Sequence, residues 1–431
     1  MPLIQQAFIL GVEEIEKENV WSKDFTLITI GTIISAIAGQ TISLPMSLMV
    51  FDETGSTLLS AFLFITGMIP GVILPILIAP VIDRYPKKRT IVGLDYLTGV
   101  LFLLIAYVVS ITGFNYSLYL SFSLITGIIG TVYRLTYQAW FPDLIPVGFE
   151  QQGYAVSSSI YPTVIVIMSP IAAYLYKTLP MSTLFMIIGL LTIVAATFEV
   201  FIADVHSQHT DIRFDFEQYK ADILGGFNFL KEEKGIRNIY TYMSITNGTA
   251  YGLYLMVQAY FQTVSFLTVT MLAFLRSAET IGRIIGGAVQ YKVDVPPKKR
   301  YGITKFVYFF YETMDLILLF IPYPFMIVNR FLCGFFGMTS ATLRETSVQS
   351  YLPSNMRAKV NAVFNVSMTL STILFQIVAG FLGDRIGYRK VVVILSGIAL
   401  FAIFIFIVIP SDENRKVYEA TRSCPLLRQA D

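Results

Sequence analysis

Polar and apolar positions in this chain alternate by block and not by residue. Apolar runs of about 20 residues, long enough to cross the hydrocarbon of a bilayer as helices, occur twelve times. They lie at roughly 25–50, 57–82, 91–111, 116–141, 152–177, 181–203, 238–264, 266–290, 303–321, 325–349, 356–381 and 388–409. One longer charged stretch, 204–237, divides the first six from the last six. Backbone in lipid must satisfy its own hydrogen bonds, so such runs are helical, and the Pro and Gly within them are tolerated. The pattern predicts an all-α membrane protein of twelve transmembrane helices in two six-helix bundles. Its parts are an N-terminal segment 1–24, a bundle 25–203, a cytoplasmic linker 204–237, a bundle 238–410 and a cytoplasmic tail 411–431.

Composition agrees with this division. Of the 431 residues 55% are hydrophobic and only 14% charged, against about 25% charged in an ordinary soluble domain. Too few charges remain to build a water-facing shell, and the bilayer is the expected solvent. A net charge of +2 gives no footprint for nucleic acid. Two cysteines, Cys333 and Cys424, cannot frame a disulfide scaffold or a zinc site. His206 and His209 both fall in the linker, so no imidazole acts inside the spans. The first 24 residues carry Glu13, Glu14, Glu16 and Glu18 and no basic n-region, and read as a cytoplasmic lead-in and not a cleaved signal peptide.

Orientation follows from Lys and Arg. With both termini in the cytoplasm, 22 of the 31 basic residues fall in the terminal segments or the inner loops with their flanks. Four fall in outer loops (Lys177, Arg385, Arg389, Lys390) and five inside spans (Arg134, Arg276, Arg283, Arg330, Arg344). That bias places both termini in the cytoplasm of a cell (plasma) membrane protein.

The two bundles share sequence. Asp83-Arg84-Tyr85-Pro86-Lys87-Lys88-Arg89, after the second run, is matched 211 residues later by Asp294-Val295-Pro296-Pro297-Lys298-Lys299-Arg300, after the eighth. The same offset pairs Gly71 with Gly282, Gln138 with Gln349 and Pro142 with Pro353. One offset serving separate landmarks marks a duplication, with the halves in parallel register. Halves so related, joined by a cytoplasmic segment, are the plan of an alternating-access transporter with its substrate site between them.

The stretch Ala79-Pro80-Val81-Ile82-Asp83-Arg84-Tyr85-Pro86-Lys87-Lys88-Arg89 resembles the G-x-L-x-D-R-x-G-R-K loop of the major facilitator superfamily, with Ala79 and Pro86 where glycines are usual. The resemblance covers essentially the whole chain. Gln138-Ala139-Trp140-Phe141-Pro142-Asp143-Leu144-Ile145-Pro146, and 350–361 after the tenth run, are similar to the bacterial macrolide-efflux and siderophore-exporter-like branch. The resemblance implies a loop of Asp83, Arg84, Lys87, Lys88 and Arg89 that gates the closed state. It also implies a cavity lined by spans one, four, seven and ten. Gly380-Phe381-Leu382-Gly383-Asp384-Arg385-Ile386-Gly387-Tyr388-Arg389-Lys390 fits the loop signature as well, but topology places it on the outer face, as a tight turn with its own ion pairs.

Ionisable groups in a membrane span cost about 2.5–3.5 kcal/mol each on insertion scales and default to function. The eighth run carries Arg276, Glu279 and Arg283 on one helical face; the ninth carries Glu312 and Asp315; the tenth carries Arg330. These three acids and three bases can neutralise one another as a structural cluster. Alternatively, one carboxylate exchanges its proton for an ion pair or for substrate in each cycle, with Glu279 the first candidate, then Glu312 and Asp315. In the first half, Asp95 is expected to pair with Lys87, Lys88 or Arg89 and so complete the gate, and Arg134 to contact substrate or pair with Asp95 or Glu199. Cavity candidates are Gln40, Thr41 and Ser43, with Tyr133, Arg134 and Tyr137. The stripe Asn247, Tyr251, Tyr254 and Gln258 at spacings of four, three and four suits a bulky, partly apolar ligand. Gly67-x-x-x-Gly71 and Ala278-x-x-x-Gly282 predict close helix contacts.

No phosphate-binding G-x-x-x-x-G-K-[ST] loop occurs, so an ion gradient is the expected energy source. No convergent catalytic set is present, and neither an enzyme nor a cofactor is expected. The reading is a secondary transporter, monomeric, that exports an amphipathic small organic molecule (drug, macrolide or siderophore-like) in exchange for protons. Proton-coupled uptake of a small metabolite is the alternative that residue types leave open.

Overall fold

The structure, a computed structural model, describes residues 20–82, 85–146, 148–203, 216–293 and 295–420. Among these the chain is helical throughout, with no strand. The first helices are α1 Lys23–Thr54, α2 Thr57–Met68, α3 Pro70–Ile82, α4 Lys87–Thr112, α5 Tyr116–Trp140, α6 Glu150–Thr178 and α7 Met181–Val200. After a short amphipathic α8, Phe216–Glu232, come α9 Lys234–Thr263, α10 Val269–Lys292, α11 Pro297–Ile317, α12 Tyr323–Tyr351, α13 Ser354–Ile386 and α14 Tyr388–Ala402. A π-helical turn, Ile403–Val408, continues α14, and α15 spans Ser411–Tyr418.

Each predicted apolar run falls on helix. Among the described residues, nine helical stretches are long and apolar enough to cross a membrane. Helices α9, α10 and α11 run to 30, 24 and 21 residues and carry the polar and charged groups of the candidate site. The second run is interrupted at one residue. Pro70 lacks an N–H, so one helical hydrogen bond is missing and the run divides locally into α2 and α3, while Ile69 between them keeps helical dihedrals. The tail is not wholly solvated either, since Tyr418 of α15 is fully buried and its hydroxyl meets that of Tyr308 at 2.9 Å.

Packing repeats along the chain. Helix α1 lies against α6 and α7, and α9 against α13 and α14. The α2–α3 pair lies against α5, and α10 against α12; α4 meets α7, and α11 meets α14. Contacts between the two sets run through α2 with α13 and α6 with α10. Glycines set the closest approaches. A Cβ on Gly282 would lie 2.1 Å from the Phe331 carbonyl oxygen, and one on Gly334 would lie 2.0 Å from that of Glu279. A Cβ on Gly127 would lie 2.4 Å from the Gly67 carbonyl oxygen. The small-residue motifs at 67–71 and 278–282 thus sit at backbone contacts, and the second presses α10 onto α12 at the level of Glu279. Large apolar side chains such as Tyr107, Ile111, Phe401 and Ile409 face outward, as they would toward lipid.

Contacts of Gln262 with Leu48 and Asp52, and of Asp384 with Ser56 and Thr57, bring the α1–α2, α9–α10 and α13–α14 turns to one end, called here the far end. The start of α4, which meets the end of α5, and the start of α9, which meets α15, lie toward the other, the near end.

Candidate functional site

Between the two helix sets lies a cavity of about 640 Å³. Ser43 and Ser47 of α1, Phe64 of α2 and Ile165 of α6 line one side; Tyr251, Tyr254 and Gln258 of α9 and Arg276, Glu279 and Arg283 of α10 line the other. A second chamber of about 340 Å³ adjoins it, between α9, α11 and α12. Tyr251, Tyr254, Arg283 and Met338 belong to both; Asn247, Glu312 and Arg344 line the second alone.

The charged groups of α10, α11 and α12 form a connected network. Glu279 is buried, and its Oε1 accepts from Arg283 Nη2 at 2.7 Å and from the Tyr254 hydroxyl at 2.7 Å. Its Oε2 lies 3.9 Å from Arg330 Nη1, and Arg330 Nη2 donates to Asp315 Oδ1 at 2.5 Å. Asn329 Oδ1 accepts from Arg330 Nε at 3.0 Å and so fixes the guanidinium plane. Of the pairings open to the sequence, the fold selects Arg283 for Glu279 and Asp315 for Arg330. Arg276 lines the cavity and makes no ion pair among the described residues. Arg330 is only 3% exposed, whereas the Arg283 side chain is 55% exposed. One arginine is therefore a fixed bridge and the other reaches into cavity space.

Glu312 differs from its neighbours. It is 2% exposed and accepts from the Thr246 hydroxyl, with no cation within ion-pair distance among the described residues. Thr246 was not among the expected site residues; it lies one residue before Asn247, on a different face of α9 from the tyrosine stripe.

Several expectations for the first half are overturned. Asp95 does not meet Lys87, Lys88 or Arg89. It is buried and faces Glu199 of α7, while Lys87 Nζ donates to the Ala139 carbonyl oxygen at 2.8 Å and lies 3.3 Å from Asp143. The reason is position: Asp95 is two turns into α4, on its face toward α7, whereas the Lys87 side chain turns back to the end of α5. Arg89 is exposed. Asp83 and Arg84 lie outside the described residues. Arg134 is exposed and pairs with neither Asp95 nor Glu199. Its Nη2 would lie 3.4 Å from a Cβ on Gly71, which places it toward α3. Gln40, Arg134 and Tyr137 do not line the central cavity; the Tyr137 hydroxyl meets Thr32 Oγ1 at 3.2 Å and its ring stacks on Phe141.

Far-end contacts join the two sets. Ser47 Oγ donates to Gln258 Oε1 at 2.9 Å, and Gln262 Nε2 donates to the Leu48 carbonyl oxygen and to Asp52. Asp384, expected in an outer turn with its own ion pairs, makes none among the described residues. Its carboxylate accepts from Ser56 Oγ at 2.6 Å and from the Thr57 N–H and hydroxyl at 2.6 Å each. The N-terminus of α2 offers unpaired N–H groups, a better partner for a carboxylate than a solvated arginine. Arg385 instead stacks on Phe381, and Arg389 Nη2 donates to the Tyr260 hydroxyl.

No curated protein matches the chain. Among solved structures, a point mutant of the nucleoside transporter NupG is similar with a TM-score of 0.63 at 12% identity, covering 89% of this chain and 99% of that one. A bacterial homolog of the human lysosomal transporter Spinster, in an inward-facing and unoccupied conformation, gives 0.61 at 13% identity, over 93% of this chain and 98% of that one. These likenesses show a shared fold. The sequence model of the Major Facilitator Superfamily matches residues 28–311 and 313–423, and on that match, nearly the length of the chain, this multi-pass membrane protein belongs to the major facilitator superfamily of transporters.

Proposed function

We propose that the chain is a secondary active transporter that exports an amphipathic small organic molecule in exchange for protons. In this reading twelve helices cross the membrane in two bundles of six, α1–α7 and α9–α14, with the near end and both termini in the cytoplasm of the plasma membrane. It works as a monomer. The observation that carries the reading is the central cavity, apolar along most of its wall and edged on one side by Arg276, Glu279 and Arg283. Such a surface holds a bulky apolar body and places a few polar groups against it. Hydrogen bonds of Ser47, Gln262 and Asp384 hold the two helix sets together at the far end, and in this reading cargo enters from the near, cytoplasmic end.

Coupling is assigned to the pair of chambers. Glu279 holds two arginines and a tyrosine hydroxyl, and is assigned the fixed position in the network. Glu312 is buried against the Thr246 hydroxyl, with no cation within ion-pair distance among the described residues, and is assigned the exchanging proton. Arg283 lines both chambers and is the exposed member of the network. When Glu312 loses its proton, its new charge draws Arg283 from Glu279, and the network rearranges at the cavity wall where cargo sits. A proton bound from outside at Glu312 sends Arg283 back. Proton and cargo thus act on one side chain, which is what coupling requires.

The test is growth inhibition across a broad compound panel in an efflux-deficient bacterial host. Wild type should raise tolerance to a set of amphipathic compounds several-fold. Glu312→Gln, at equal membrane expression, should lose that tolerance while the purified variant still binds the same compounds. Equal tolerance in the variant contradicts the coupling assignment, and no protected compound at all contradicts export.

A further inference from the structure

We propose that Asp95 and Glu199 form a second proton-binding site, inside the first helix set and apart from the central cavity, in which two carboxyls hold one proton between them. Neither residue lines the cavity or the second chamber. Glu199 closes the last turn of α7 and is fully buried; Asp95, on α4, is 6% exposed. The two side chains face each other.

Three observations point to the ligand. Among the described residues no donor meets hydrogen-bond geometry at either oxygen of Glu199 or at Oδ2 of Asp95, all three buried, although the Tyr133 hydroxyl faces Glu199. A carboxylate is an acceptor only, so two ionised carboxyls facing one another can neither bond nor separate their charges; one proton turns one of them into a donor to the other. Among the described residues the surroundings also provide no cation. Tyr133 and Tyr137 on α5 and Tyr161 on α6 are the titratable groups that face the pair, and neither carboxyl makes an ion pair with a Lys or Arg among the described residues. From α1 the facing residue is Gly31, where a Cβ would stand 2.8 Å from Glu199 Oε1. A larger residue there would displace the carboxyl, so the glycine makes the room that Glu199 occupies. No group of described residues could hold a metal ion, and two carboxyls with a glycine fall short of a cation's shell.

The pair joins α1 and α4 through α7 near the cytoplasmic end assigned above. Binding of the proton neutralises the contact and loss of it splits the contact, so occupancy reports the pH on that side. This goes beyond the cavity coupling and does not require it.

Infrared difference spectroscopy of the purified full chain in lipid tests the site through the carboxylic-acid C=O stretch at neutral pH. Relative to wild type, Glu199→Gln should lose the intensity of one protonated carboxyl, and Asp95→Asn should lose or shift the same band. Glu312→Gln should leave that band in place and remove a different one. Unchanged acid intensity in both Glu199→Gln and Asp95→Asn overturns the site. Loss of the band only in Glu312→Gln does so too, while leaving the cavity reading intact. If Glu199→Gln does not yield folded protein, Asp95→Asn alone decides between the same outcomes.

Discussion

The α10–α12 network and the Asp95–Glu199 pair answer one problem, buried charge among apolar helices, in opposite ways. In the first, Arg330 bridges Glu279 and Asp315, and Arg283 takes the other Glu279 oxygen, so each acid has a cation set against it. In the second, two acids face each other with no base beside them among the described residues. The network is stable as long as its charges stay together, and the pair is stable as long as it holds a proton. Glu312 stands between these cases, buried like Glu199 yet only one helical turn from Asp315 of the network. A fixed network can orient a cavity wall; a site that must gain and lose a proton can move it.

Removing the bridge should separate the two regions most. Arg330→Met strands Glu279 and Asp315 as buried acids without their shared cation and should cost about 3–5 kcal/mol, read as a large drop in the thermal unfolding midpoint of the purified protein. Adding Glu279→Gln and Asp315→Asn should restore most of that loss. A midpoint unmoved by Arg330→Met would show that the network is not held by charge.

A smaller effect is expected at the far end. Asp384→Asn weakens the cap on α2, and helix-cap losses run to about 1 kcal/mol, which is a several-fold shift in the population open at that end. In a Cys333→Ser, Cys424→Ser background, Ser47→Cys should then label faster with a membrane-impermeant thiol reagent applied from outside. An unchanged rate would remove Asp384 from the closure.

The least change in stability is expected at the acid pair. Glu199→Gln supplies a neutral donor where a proton was shared, so its stability at neutral pH should stay within about 1 kcal/mol of wild type, again read from the unfolding midpoint. A loss as large as that of Arg330→Met would mean that Glu199 is an ionised partner after all, and the contrast between the regions would fail.

How much of this was legible beforehand varies by element. Helix positions could be read because block hydrophobicity and backbone satisfaction leave one solution, whereas the local irregularities at Pro70 and at the π-helical turn Ile403–Val408 are not revealed by run length. The tyrosine stripe on α9 could be read because helical spacing puts Tyr251, Tyr254 and Gln258 on one face, and that face lines the cavity. Pairings across helices could not. Arg276 and Arg283 are each within about one turn of Glu279, and only the approach of α12 through Gly334 decides which side of Glu279 meets Arg330. Glu199 carried one signal, an acid at the end of an apolar run, without any sign that Asp95 would face it. Asp384 sits among arginines in sequence yet reaches the α2 N-terminus, a partner that exists only once the two helix sets meet.

The central claim is that outward movement of an amphipathic compound is exchanged for inward movement of protons through Glu312. Everted membrane vesicles from the efflux-deficient host, acidified inside and monitored with a pH-sensitive dye, test it directly. Adding a compound protected in the growth panel should release protons from vesicles carrying wild type and not from those carrying Glu312→Gln. Equal proton release from both, or none from wild type during measurable transport, would contradict the account.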